Sequence, residues 1–287
     1  MIKEILCRSI IFIISILTIL GICQEIWLSE NSLTVNHYQF ETSKTNQEIK
    51  LVVLSDLHEH EFGEGNEALV ELVKDRHPDL ILLLGDFVNE DSEDTDIVCN
   101  LIEDIKNFAP IYFALGNHEI AYMERQNTEL IQQLGAAGAI VLEKDYVDIE
   151  IKNEKIRLGG LYEYAFGFDR EDLSDQKVAI KTYLEDFQET DTLKIMMSHR
   201  PDSFVFGDAS THWDVDLVVS GHNHGGQVVI PGLGGLFGGD QGCFPEYVHG
   251  MYQIDKINLF VTSGLGSNPK LLPRFNNRPE IAVITIL

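Results

Sequence analysis

The 287-residue chain carries 21 Lys and Arg against 46 Asp and Glu, a formal charge of −25. So large an acid excess excludes a nucleic-acid groove, which needs cations arrayed along phosphate. With 44% hydrophobic and 23% charged residues the chain is no disordered polymer, and its length supports one sizeable core or two small ones.

The first element is an apolar run, Ser9–Ile22, with Lys3 and Arg8 before it and Gln24 and Glu25 after it. Extended back to Ile5, it reaches the roughly 17–25 residues of a bilayer crossing, with the Arg8 stem snorkelling to the head groups. Trp27 suits an interface, and no small-x-small cleavage site follows in a convincing register. Residues 1–28 are therefore read as a membrane anchor, with a cleaved signal segment and a secreted protein as the alternative. No basic residue follows the run until Lys44, so the positive-inside rule puts the main domain on the extracytoplasmic side.

Residues 29–48 are polar and read as a linker or edge segment before one domain over 49–287. Within it, Leu51–Ser55 predicts a strand, Ala68–Val73 an amphipathic helix and Leu80–Leu84 a strand. A helix over Ile97–Phe108 and a strand at Ile111–Leu115 follow. Leu130, Ile131 and Leu134 mark a helix, then Ala139–Leu142, Val147–Ile151 and Lys155–Gly159 read as short strands. A helix through Val178, Ala179 and Tyr183 precedes strands at Lys194–Ser198, Asp216–Ser220, Gln227–Ile230, Leu259–Ser263 and Ile281–Ile286. Apolar strands alternating with helices imply an α/β fold with largely parallel sheet. The number of strands exceeds one sheet and predicts two sheets face to face with helices outside. Pro231–Gly242 holds six glycines and predicts a loop without regular structure, plausible as a border of the site. Of the four cysteines, Cys7 and Cys23 belong to the apolar end, and Cys99 and Cys243 are expected to be free.

Polar residues cluster where these strands end, the place where open α/β sheets bind ligands. They are Ser55–His58 (SDLH), Gly85–Asn89 (GDFVN), Gly116–Glu119 (GNHE), His199, and Gly221–Gly226 (GHNHGG). A single Asp or Asn after a strand is ordinarily a cap or turn residue. Five such ends in one chain, rich in imidazole and oxygen and without thiolate, suit Mn, Fe, Zn or Mg. His222 and His224, set among glycines, have no capping role to explain them and are read as metal ligands. Asp86 is the candidate carboxylate shared between two cations. His118, next to Asn117, is expected to point elsewhere than its neighbour, toward a leaving group, as general acid. His37, His60, His77, His212 and His249 lie outside the clusters and are read as surface or packing residues, with His60 close enough to support His58. No GxxxxGK[ST] or strand-to-helix GxGxxG is present, which disfavours nucleotide binding through such a loop.

The ordered set DLH, GD, GNHE, a single His and GHNH resembles the calcineurin-like metallophosphoesterase superfamily from about Lys50 onward. Pro78–Asp86, Gly221–Val228, Gly264–Gly266 and Arg278–Ile286 look like its YkuE/YaeI-type branch of membrane-associated or exported phosphoesterases. The resemblance implies two packed mixed β-sheets flanked by helices, a four-layer sandwich with a dinuclear site at the strand ends. It implies Asp56, His58 and His224 on one divalent ion, Asn117, His199 and His222 on the other, Asp86 between them, and His118 assisting the leaving group. Three positions depart from the pattern: Asn89 stands where many relatives have an acid, Glu59 follows DLH, and Ser263 stands where the branch often has Arg. Arg200, Arg274 and Arg278 are the possible substitutes for substrate binding.

The expected reaction is hydrolysis of a phosphoester, a diester in a lipid or cell-envelope substrate, by attack of a metal-bridging water. A phosphomonoesterase, a protein phosphatase, or a non-catalytic membrane-attached metal-binding module are the alternatives. Oligomeric state is not legible.

Overall fold

A computed structural model describes residues 2–126, 129–168, 173–267 and 272–287. The apolar run lies in α1 (Ile2–Asn31), whose side chains stand clear of the rest of the chain until its last turns, where Ser29 is fully buried. Lys3–Asn31 is long and apolar enough to cross a membrane, with a mean hydropathy of 2.5 over its 18-residue apolar stretch. The next elements are β1 (Thr34–Phe40), β2 (Ile49–Leu54), α2 (Glu67–Asp75), β3 (Leu80–Leu83), α3 (Asp96–Ile105), β4 (Ile111–Phe113), α4 (Asn117–Gln126), α5 (Leu130–Ala137) and β5 (Ala139–Val141). They build a six-stranded sheet in the order β1-β16-β2-β3-β4-β5, where β16 is Glu280–Ile286. Only the β16–β2 pairing is antiparallel.

The second half supplies β6 (Asp145–Ile151), β7 (Glu154–Gly160), α6 (Asp175–Gln188), β8 (Leu193–Met197), α7 (Asp202–Val205), α8 (Ala209–His212) and β9 (Leu217–Ser220). Two minimal ribbons follow, β10 (Val229–Ile230) with β11 (Gly234–Gly235) and β12 (Phe237–Gly238) with β13 (Gly242–Cys243). The hairpin β14 (Gly250–Ile254) and β15 (Ile257–Val261) completes a second six-stranded sheet, β14-β15-β9-β8-β7-β6.

The continuous apolar runs have a simple cause, since each central strand is buried on both faces. Val52, Leu54, Ile81, Leu83 and Phe113 face a core shared with α2, α3 and α5. Their neighbours Leu51, Val53, Leu80, Leu82 and Tyr112 meet Leu193, Ile195, Leu217, Val219 and Phe260 of the second sheet. On that sheet's far side Met196, Val218 and Leu259 pack against Leu184, Phe187 and Trp213. The expected face-to-face sheets with helices outside are therefore present.

Three expectations change in detail. The stretch Thr34–Phe40 takes the edge alternative of the segment read as linker or edge, as a full seven-residue strand at the sheet's edge paired to β16. Met251–Gln253, half-buried at an edge, lacks the apolar run that marks a strand, so β14 was not foreseen. The glycine-rich segment is not irregular throughout, because glycine's tolerance of φ values such as 83° at Gly232 and 90° at Gly234 lets the chain fold back into β10–β11.

Candidate metal centre

The ends of β2, β3, β4, β8 and β9 bring SDLH, GD, GNHE, His199 and GHNH to one place. Loop hydrogen bonds lock the meeting: Asp56 N donates to Gly85 O at 2.9 Å, His58 N to Asp86 O at 3.0 Å, and Gly221 N to His199 O at 3.0 Å. The approach is so close that a Cβ on Gly116 would collide with Asp86 Oδ1, and one on Gly221 would stand 2.5 Å from Asp56 Oδ2. Asp56, His58, Asp86, His222 and His224 all have φ between 45° and 67°. Left-handed backbone at a residue other than glycine costs about 1–3 kcal/mol where the region is sparsely populated, and such strain gathers at functional sites.

Asp86 is the hub. Its Oδ1 accepts from His118 N at 2.8 Å, and its Oδ2 lies 3.1 Å from His199 Nε2 and 4.0 Å from both His58 Nε2 and His118 Nε2. Asp56 accepts from His222 N and sits 3.6 Å from His224 Nε2. His222 Nδ1 is 3.2 Å from His199 Nε2. Three overlapping donor groups result: Asp56, His58 and His224; His58, Asp86 and His118; and Asp86, His199 and His222.

The imidazoles are oriented to receive a cation. His58 Nδ1 lies 2.9 Å from Asn89 Oδ1, His199 Nδ1 2.6 Å from Leu84 O, and His224 Nδ1 3.2 Å from Gly266 O. Facing an oxygen acceptor, each Nδ1 must carry its proton, so each Nε2 turns toward the carboxylates. His58 Nε2 and Asn117 Oδ1 are buried there without a hydrogen-bond partner, a costly state in a protein interior and one a bound cation relieves. Burial and His224 push His58 down to about 4, and burial and His199 push His222 down to about 3, so both rings are neutral at pH 7. Burial opposes charge on Asp86, yet His199, then His58 and His118, hold the carboxyl below the usual range. His199 is likewise disfavoured as a cation by burial, but Asp86 outweighs this and lifts it to about 9. These side chains fit divalent cations in donor type and tautomer, and His58 Nε2 and Asn117 Oδ1 have no other hydrogen-bond partner.

His118 differs. Its Nδ1 accepts from Glu90 N at 3.1 Å, which leaves Nε2 as the protonated nitrogen, and it lines a cavity of about 400 Å³ together with Asn117, His222 and Phe237. Glycines 238, 239 and 242 form part of that cavity's wall. A Cβ on Gly239 would come within 2.5 Å of the His222 ring, so the glycine-rich segment packs directly over the site.

None of the three arginines lines this cavity. Arg200, beside His199, is held by the hydroxyls of Tyr162 and Tyr164 at 2.9 and 3.1 Å. Arg274 is fully buried and donates to Asn277 O, Gly266 O and Ser263 O at 2.8–3.0 Å, which corrects its reading as a substrate contact: it is a backbone clamp. Arg278 opens instead into a second cavity with His249 and Asn36.

Two supports escaped the sequence reading. Glu119 is fully buried and accepts from the backbone amides of Asp86, Phe87, Val88 and Gly116 at 2.7–3.3 Å, tying GNHE to GDFV. Burial and Asp86 raise it to about 7. The spacing from Gly116 to Glu119 at the start of α4 is that of a capping box, a signal that was available. The departures Asn89 and Glu59 prove to be partners: Asn89 Oδ1 receives His58 while its Nδ2 donates to Glu59 Oε2 at 2.8 Å. An acid is thus still coupled to His58, one residue removed.

The sequence model of calcineurin-like phosphoesterases matches residues 49–226, more than half of the chain. An uncharacterized metallophosphoesterase of Campylobacter jejuni is 28% identical over 238 residues, 81% of this chain and 58% of that one, so the chain spans less than two thirds of that relative. Phosphodiesterase YaeI of Escherichia coli is 27% identical over 242 residues, 83% of this chain and 82% of its own. Phosphopantetheinyl hydrolase of Mycobacterium tuberculosis, a solved structure, aligns with a TM-score of 0.47 and 12% identity over 76% of this chain and 90% of that one. The chain belongs to the calcineurin-like phosphoesterase family.

Proposed function

We propose that the protein is a metal-dependent phosphoesterase acting on a phosphodiester of a lipid or cell-envelope compound, attached to the membrane by α1 with its domain on the extracytoplasmic side. The observation that carries the reading is the set of Nδ1-anchored histidines presenting Nε2 to Asp56 and Asp86. Asp56, His58 and His224 would hold one cation, Asn117, His199 and His222 the other, with Asp86 serving both. Manganese, iron or zinc suits such donors. When bound, the cations supply Lewis-acid stabilisation of phosphoryl oxygens and a lowered water pKa.

The chain's own residues do the rest. Asp86 counters the charge of the cations while Glu119 keeps its backbone in place. His118 offers Nε2–H into the cavity, where it donates to the oxygen that leaves phosphorus. Its orientation is fixed through Glu90 N. Phe237 and the glycines over His222 narrow the access of water. The phosphodiesterase named among the relatives favours the diester over the monoester.

The test uses the full chain in detergent with manganese, assayed on bis(p-nitrophenyl) phosphate and p-nitrophenyl phosphate. Faster turnover of the diester, abolished in Asp86→Asn, supports the reading. Equal turnover by wild type and Asp86→Asn sinks the site, and preference for the monoester replaces the substrate class. Labelling of exposed Cys243 by an impermeant maleimide on intact cells tests the side of the membrane.

A further inference from the structure

Outside α1, the large apolar side chains exposed among the described residues are Ile140, Val178, Leu233, Phe237, Phe244, Leu272 and Leu287. Four of these seven sit on the segments that build or adjoin the wall of the cavity at the metal centre. Phe237 lines it, and Leu233 caps the β10–β11 ribbon with 68% exposure. Phe244 N is bonded to Leu236 O, and Leu272 O accepts from the side chain of Gln227, itself part of the cavity wall. Scattered exposed leucines need no explanation, whereas several round one opening mark an interaction surface.

The same rim is fastened to the end of α1. Val229 N donates to Phe275 O, and Asn276 Nδ2 to Val229 O. Asn277 N donates to Ser29 Oγ of α1 at 3.3 Å, while its Nδ2 donates to His224 O at 2.6 Å. Only Ser32 and Leu33 separate α1 from β1, and Thr34 N is bonded to Pro279 O. The helix therefore enters the domain beside the metal-centre loop.

Distance makes this consequential. A hydrocarbon core takes about 20 helical residues, which Ile5–Gln24 supplies. The seven residues from Glu25 to Asn31 then rise only about 10 Å, little more than a head-group layer. Asn277, bonded to Ser29, and Pro279, bonded to Thr34, stand at that end of α1, and the apolar rim is fastened to the same segment through Val229. A charge of −25 disfavours attraction to anionic lipid, so burial of apolar side chains is the available source of contact.

We propose that Leu233, Phe237, Phe244 and Leu272 rest in the surface of the bilayer that holds α1, so that the catalytic mouth faces lipid rather than bulk water. The inference rests on the anchored phosphoesterase reading above. Full-length protein with Trp27→Phe is reconstituted in phosphatidylcholine vesicles containing chain-brominated lipid, with Leu233→Trp, Phe244→Trp or, on the outer strand β5, Ile140→Trp. The buried Trp213 gives the same background in all three. Loss of fluorescence and a blue shift at 233 and 244 but not at 140, unchanged by salt, is the expected result. Equal quenching at all three positions, or none at 233 and 244, overturns it, and the latter is also what a second copy of the chain covering the rim would produce. Turnover of bis(p-nitrophenyl) phosphate by the same samples separates the two readings. Absent turnover with quenching sinks the phosphoesterase and leaves the surface; turnover without quenching sinks the surface alone.

Discussion

Two buried carboxylates at strand ends, Asp86 after β3 and Glu280 opening β16, are treated by the fold in opposite ways. Glu280 accepts from Tyr38, Asn36 and His249 on one oxygen at 2.6–3.0 Å, and from Thr262 Oγ1 and Ser263 N on the other at 2.7 and 2.8 Å. Asp86 has left-handed backbone and stands among imidazoles with the unpartnered atoms of His58 and Asn117 close by. One charge is satisfied by the chain itself and joins β1, β15 and β16. The other is gathered with groups that only a guest can satisfy. A buried charge thus signals function through what remains unsatisfied around it, not through burial.

The sharpest way to break this contrast is to neutralise each hub. Asp86→Asn is expected to cut turnover by about 10³-fold or more while leaving the urea midpoint near wild type, because it removes the proposed shared ligand and no packing. An unfolded variant would erase the distinction. Glu280→Ala is expected to cost about 3–5 kcal/mol in urea unfolding, since it strands His249 and several donors, with turnover per folded molecule retained.

The sign of the pH dependence follows from the same pair. Hydrogen bonds outweigh the burial penalty and hold Glu280 at about 2, so its contribution is complete above an unfolded value near 4.5 and is lost as pH falls toward 2. His249 is raised, chiefly by its bond to Glu280, so its share is complete below about 6.5 and is lost as pH climbs through the raised value. The stability gap between wild type and Glu280→Gln should therefore be widest between about pH 4.5 and 6.5 and shrink on either side. A gap independent of pH would contradict the pairing.

Smaller effects sharpen the Asp86 side. His118→Asn is expected to lower kcat by about 10²-fold, with bound manganese measured by atomic absorption unchanged. Lost metal instead would make it a ligand. Asn89→Ala removes the acceptor of His58 Nδ1 and is expected to weaken manganese binding about tenfold with little change in kcat at saturating metal. Asn89→Asp should retain affinity, since an acid again faces the ring.

Much of this was legible in advance because burial on both faces demands continuous apolar runs, and those runs end in the residues that meet. Leu80–Leu83 followed by Gly85 and Asp86 shows both facts in seven letters. Legibility failed where side chains act through partners distant in sequence. Arg274 reads as a free cation until three carbonyls surround it, and Asn89 reads as a lost acid until Glu59 is seen behind it. The edge strand β14 failed for a different reason: it is only partly buried, so its composition carries little pattern.

Composition and periodicity alone determined the apolar helix and the alternation of strands with helices, and the short motifs at the strand ends supplied the ligand candidates, because each depends on neighbours within a few residues. Tertiary structure decided which nitrogen of each histidine turns inward, which arginine is a clamp, and that the end of α1 reaches His224 through Asn277. Those outcomes depend on carbonyls and side chains tens or hundreds of positions away, and no local pattern encodes where a folded chain will place them.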